Sequence, residues 1–318
     1  QVSVPAVESR SANKEWVEVE TDVLKLSFDS EGGTLSRVEF LAHVDEHKPG
    51  SNVVLLDDSK DRIYTAQTGL ISSVPGVALP THKTPMTVRP GARQLKEGTN
   101  ELTVTFESAP QNGVKLVKTY TIRRGAYNMA VKHDIINTST QDVTPQLYFQ
   151  LVRDGNKLAG ESSFYSTFTG PAVYTEAKKY QKVEFADIKK KKVDVEKQSN
   201  VGYIAMVQHY FASAWILPDG MQRDISLDAV DIGSTMADCC YRVTMISPLE
   251  AIKPGQTKTV TATFYAGPQE EKKLESLYPG LELVKDYGWL TILAKPLFWL
   301  LDQLFKILGN WGWAIVAL

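Results

Sequence analysis

The sequence predicts a mainly β protein, a sandwich followed by a helical tail. Three observations carry that prediction. Short runs of alternating apolar and polar residues recur from Trp16 to Tyr265, with turn signals roughly every 8–12 residues. No alternation of strands with helices and no phosphate-cradling glycine loop breaks the pattern. Beyond Pro268 the apolar period changes from that of a strand to that of a helix.

Composition sets the outer bounds. The chain has 318 residues, 43% of them hydrophobic, with 35 basic against 37 acidic side chains and a formal net charge of −2. This is enough apolar material for a large core, and it is unlike a disordered chain. The acidic balance argues against nucleic acid as a partner, since a phosphate-tracking face makes a domain basic.

Taken in order, residues 1–15 are small, polar and aperiodic, and read as a linker from a membrane span expected to precede them. The sandwich is expected over 16–266. Leu24, Leu26 and Phe28 alternate with Val23, Lys25 and Ser27, and Gly32-Gly33 turns the chain into a second run, Thr34 to Phe40. Leu102 to Phe106 leads to Asn112-Gly113, a strong hairpin dipeptide, and alternation resumes from Val114 to Ile122. Further strands are expected from Met129 to Ile136, Gln146 to Val152, Tyr203 to Val207, Phe211 to Leu217, Tyr241 to Ile246 and Thr257 to Tyr265. A helical connector over 267–286 starts with acids and strong helix formers, Pro268 to Leu277.

A longer helix, 287–309, is amphipathic. After Pro296, a favoured first helical position, Leu297, Leu300, Leu301, Leu304, Ile307 and Leu308 recur at helical spacing, widened by Phe298 and Phe305. Lys295, Asp302, Gln303 and Lys306 gather on the other side. Trp289, Trp299, Trp311 and Trp313 surround the stripe, as tryptophans do at the headgroup level. The expectation is a helix lying in a membrane interface rather than in the core of the sandwich. Residues 310–318 read as the truncated start of a transmembrane helix, so the chain is expected to be an ectodomain.

Other residues invite chemistry and are read more plainly. His43 to His47 matches H-x-x-E-H, but Lys48-Pro49-Gly50 would stop the helix that zinc binding requires, so a polar loop and no metal are expected. His209 lacks an identifiable partner base and reads as structural. Cys239 and Cys240 read as two small apolar residues in a strand, with a vicinal disulfide as the alternative. The lysine-rich stretch of Lys178, Lys179, Lys182 and Lys189 to Lys192 reads as lysines that blunt an exposed β edge, with contact to anionic lipid as the alternative.

Four segments carry a resemblance. Thr21 to Gly33, Tyr203 to Ile216, Val284 to Trp289 and Gly309 to Gly312 resemble, in order, segments of the YidC family of bacterial inner-membrane insertases. The similar part is the large periplasmic domain between the first and second membrane spans. The resemblance implies a twisted β super-sandwich of galactose-mutarotase type, then a helical tail on the outer membrane face. It implies an accessory docking and positioning role, without the membrane groove and its arginine that perform insertion, and without catalytic residues or a cofactor. The implied partners are the inner-membrane lipid surface, client membrane proteins and the Sec translocon, including SecF. The edge for SecF would fall around 174–217, where Lys178, Lys179, Lys182, Gln208, Tyr210 and Trp215 are candidates. Two other classes stand beside it: a carbohydrate-binding or mutarotase-like protein, by fold analogy alone, and a general periplasmic chaperone surface.

Overall fold

A computed structural model describes residues 15–156, 168–231, 236, 238–285 and 291–318. Eighteen strands form two nine-stranded antiparallel sheets packed face to face. The first sheet runs β1 (Trp16–Glu20), β2 (Leu24–Asp29), β3 (Thr34–Val44), β4 (Asn52–Asp58), β5 (Ile63–Ser72), β10 (Pro145–Arg153), β17 (Tyr241–Pro248), β16 (Arg223–Ala229), β13 (Gln198–Ser199). The second runs β12 (Lys179–Lys182), β11 (Gly170–Thr175), β14 (Tyr203–Gln208), β15 (Phe211–Ile216), β18 (Thr257–Pro268), β9 (Asn128–Asn137), β8 (Val114–Arg123), β7 (Glu101–Ser108), β6 (Met86–Val88). Each edge strand is short: five residues in β1, two in β13, four in β12 and three in β6.

Between the sheets lies one continuous core that includes Phe28, Phe40, Leu70, Phe106, Phe149, Trp215 and Phe264. The sequence predicts alternating strands such as β7 and β9 and also β10 and β14, which are buried almost throughout. It singles out neither β1, which alternates, nor β5, where all residues except Gln67 and Ser72 are buried and no polar face marks the period.

A polar bridge crosses the core. Lys118 on β8 is fully buried, and its Nζ donates to the carbonyls of Gly32 at 2.7 Å and Thr68 at 2.6 Å. Its register partner on β9, His133, is also fully buried and meets Thr68 Oγ1 through Nε2 at 2.8 Å. Gly32 and Gly33 have φ of +71° and +56°, and a Cβ on Gly33 would come within 2.8 Å of the Phe106 side chain.

Among the described residues there are also four α-helices, α1 (Phe185–Lys189), α2 (Glu271–Leu277), α3 (Thr291–Leu308) and α4 (Trp311–Ala317), with a 3-10 turn at Leu281–Val284. β18 runs two residues past the expected end of the sandwich at 266. Leu274, Leu281 and Val284, from the segment expected as a connector, are fully buried in the main core. Tyr278 fastens that segment: its hydroxyl donates to Asp219 Oδ1 and accepts from the Gly202 N–H, both at 2.8 Å. Tyr203 on β14 donates in turn to the Gly280 carbonyl at 2.8 Å.

Two plain readings are corrected. Cys239 and Cys240 are not strand residues; they precede β17 and are joined as a vicinal disulfide. Cys240 exchanges backbone hydrogen bonds with Val230 and packs on Ile63 and Val152, which fixes the pair at the end of the β16–β17 connection. Lys189 to Lys192 does not blunt a strand edge, because it runs on from the end of α1, whereas Lys179 and Lys182 of the same stretch do lie on the edge strand β12. His43 lies on β3 and His47 in the following turn, so the two histidines share no helix face.

Candidate functional site

The tail presents the largest exposed apolar surface among the described residues. α3 begins at Thr291 and runs through Pro296, so this proline is inside the helix and not at its first position. It removes one backbone donor, toward Ile292, while helix formers on both sides keep the helix going. At about 100° per residue, Ile307, Leu300, Leu304, Leu297, Leu308, Leu301, Phe305 and Phe298 fill about half of the helix circumference. Asp302, Lys306, Trp299 and Gln303 fill the other half.

Ile307 is 79% exposed, Leu297 51%, Phe298 49%, Leu308 44% and Leu300 41%. Leu301, Leu304 and Phe305 are half-buried. The reason is α4. Gly309, at φ +65°, ends α3, and the Asn310 side chain caps α4 by accepting from the N–H groups of Gly312 and Trp313. This turn stacks Trp311 on Phe305, with ring centroids 4.0 Å apart, and buries Ala314. Trp313, Ile315 and Val316 extend the exposed apolar surface. No helix among the described residues is long and apolar enough to cross a membrane. On the polar side, Lys306 bonds Asp302 at 2.9 Å and, helped by Lys272, holds its carboxyl below the usual range. Trp289 and the Lys295 side chain lie outside what is described.

The second candidate surface divides in two. Lys178, Lys179 and Lys182 lie at the β12 edge, but Lys178 bonds Asp194 at 2.6 Å and the Lys182 ammonium lies 5.4 Å from the Phe168 ring centroid. Tyr210 projects from the β14–β15 turn and is 70% exposed. Gln208 and Trp215 do not belong to any surface. Gln208 is buried and accepts from Arg62 at 3.2 Å. Trp215 is buried between Phe149 and Phe264 and donates to the Gln150 carbonyl. β15 is the fourth strand in from the edge, so neighbouring strands cover what the sequence alone places near a border.

His133 is sealed in the core, where burial and the nearby Lys118 hold its pKa down at about 3. His209 sits in the β14–β15 turn against Tyr210.

A family model described as the YidC periplasmic domain matches residues 16–300. The chain belongs to the YidC periplasmic domain family. It is 49% identical over 304 residues to the membrane protein insertase YidC of Janthinobacterium sp. (strain Marseille), covering 96% of this chain and 52% of that protein. With the membrane protein insertase YidC of Cupriavidus metallidurans it shares 50% identity over 319 residues, covering 99% of this chain and 55% of the relative. The chain thus spans about half the length of these YidC relatives. Among solved structures, a galactose mutarotase-like protein from Lactobacillus casei superposes with a TM-score of 0.53 at 10% identity, over 80% of this chain and all of that one. Similarity at that level establishes the super-sandwich fold of the YidC domain and nothing of its chemistry.

Proposed function

We propose that this chain is the periplasmic docking and positioning domain of an inner-membrane protein insertase. The observation that carries the reading is the exposed apolar half of α3, continued by α4, at the end of a sandwich whose relatives are named membrane protein insertases. The face rests on the periplasmic surface of the inner membrane, with Leu300 and Ile307 toward the acyl chains and Asp302 and Lys306 toward water. Burial of one such aliphatic side chain is worth roughly 1.5–3 kcal/mol, so a few of them hold the helix at the interface. Trp289, Leu297 and Phe298 belong to the same contact, and Leu301, Leu304, Phe305 and Leu308 join it at the side next to α4.

In this reading the sandwich works by binding and positioning, and makes or breaks no bond. Its partners are client membrane proteins and components of the Sec translocon, including SecF. The docking edge is β11–β12 with the adjoining β14–β15 turn, where Lys179 and Tyr210 are accessible. Flotation of the 318-residue chain with liposomes tests the reading. Comigration with lipid supports it; a chain that stays in the soluble fraction at every lipid concentration makes the α3 face a protein-packing surface and ends the proposal.

A further inference from the structure

We infer that the tail recognises a neutral bilayer surface, held by apolar contact with zwitterionic lipid and gaining nothing from anionic headgroups. The inference rests on the reading of α3 as lipid-facing and specifies which lipid chemistry it meets. From Pro268 to Leu318 the chain has five lysines against six carboxylates, and no arginine or histidine. A surface that selects anionic lipid is polybasic and gains about fivefold in affinity for each free lysine near the membrane.

Here the described lysines already have acidic neighbours. Lys306 bonds Asp302 at 2.9 Å, and Lys272 acts on the same carboxylate. Lys273 bonds Glu270 at 2.8 Å. Lys285 lies 3.9 Å from Glu271, with its ammonium 5.0 Å from the Phe298 ring centroid. At Lys306, Lys273 and Lys285 an arriving phosphate would have to displace a carboxylate, exchanging one anion for another with little net gain. Among the described side chains of the apolar face, what meets lipid is uncharged: the aliphatic arc, and the indoles of Trp311 and Trp313, 45% and 67% exposed. Indoles settle at the headgroup level through an apolar body and a single N–H donor, whatever the lipid charge.

The experiment compares partitioning of the full chain onto vesicles of pure phosphatidylcholine and of phosphatidylcholine with one third phosphatidylglycerol, at low and high salt, by tryptophan fluorescence. A variant carrying Lys190→Gln, Lys191→Gln and Lys192→Gln runs alongside, to remove the basic run on the sandwich. The expected result is partitioning equal within about twofold on both vesicles in the triple variant, unmoved by salt. A wild-type preference for phosphatidylglycerol that vanishes in the triple variant belongs to the sandwich and supports the inference for the tail. A preference of about fivefold or more that persists in the triple variant and collapses in high salt overturns it. No binding to either vesicle removes the lipid-facing reading itself, and this inference with it.

Discussion

Lys118 carries its amine into the centre of the sandwich, where no carboxylate bonds it among the described residues. Burial pushes its pKa down to about 7. A neutral amine has two N–H groups, and the site offers two carbonyls, those of Gly32 and Thr68. Between pH 7 and about 10 the unfolded chain therefore keeps a proton that the folded chain has released, and stability rises with pH across that window. The full swing is on the order of 4 kcal/mol, diminished as pH falls toward 7. Thermal melts at pH 7 and pH 9.5 should show this gain in the native chain and lose the slope in Lys118→Met. Gly33 is the companion test: an added Cβ meets Phe106 in a left-handed backbone, so Gly33→Ala should cost about 1–3 kcal/mol by urea titration. Neither role is legible in the sequence. Lys118 occupies a plainly alternating strand, and only the approach of Gly32 and Thr68 from the opposite sheet makes its amine special.

At the scale of elements, α3 shows what periodicity reveals and what it omits. The amphipathic stripe follows from the spacing of its leucines, but the stacking of Trp311 on the half-buried Phe305 depends on α4 folding back, which no pattern within α3 encodes. Leu300 and Ile307 are therefore the side chains to change, since both are exposed and adjacent on the wheel. Leu300→Asp with Ile307→Asp should release the chain from liposomes while leaving its melting temperature within a few degrees. Lys306→Gln should leave flotation unchanged, because that ammonium faces water beside Asp302. Retained flotation in the double aspartate variant would mean that other residues make the lipid contact. The opposite lesson comes from β15. Its Tyr-to-Trp neighbourhood looks like a border in a linear reading, yet Trp215 is enclosed on every side by Phe149, Phe264 and the adjoining strands.

For the molecule as a whole, we propose that the folding unit extends beyond 266, at least through Val284. Leu274, Leu281 and Val284 fill the core, and Tyr278 ties the segment to Gly202 and Asp219. A chain ending after Lys285 should melt cooperatively near the temperature of the full chain. One ending after Gly267 should be less stable by several kcal/mol, given about 1.5–3 kcal/mol for each buried aliphatic side chain removed. Equal melting of the two by calorimetry would return the boundary to the end of the last strand. The sandwich class was readable because alternation recurs in strands such as β7 and β9 and turn signals separate the others; the place where it closes was not, because Tyr278 and Gly202 are joined only in space. In the setting proposed above, beside a membrane and its client chains, the short edge strands have a consequence. Long bare edges would act there as flypaper, capturing passing polypeptide in register and seeding fibres. With borders of two to five residues, this wall gives a stray strand too little rail to zip along, and stays clean.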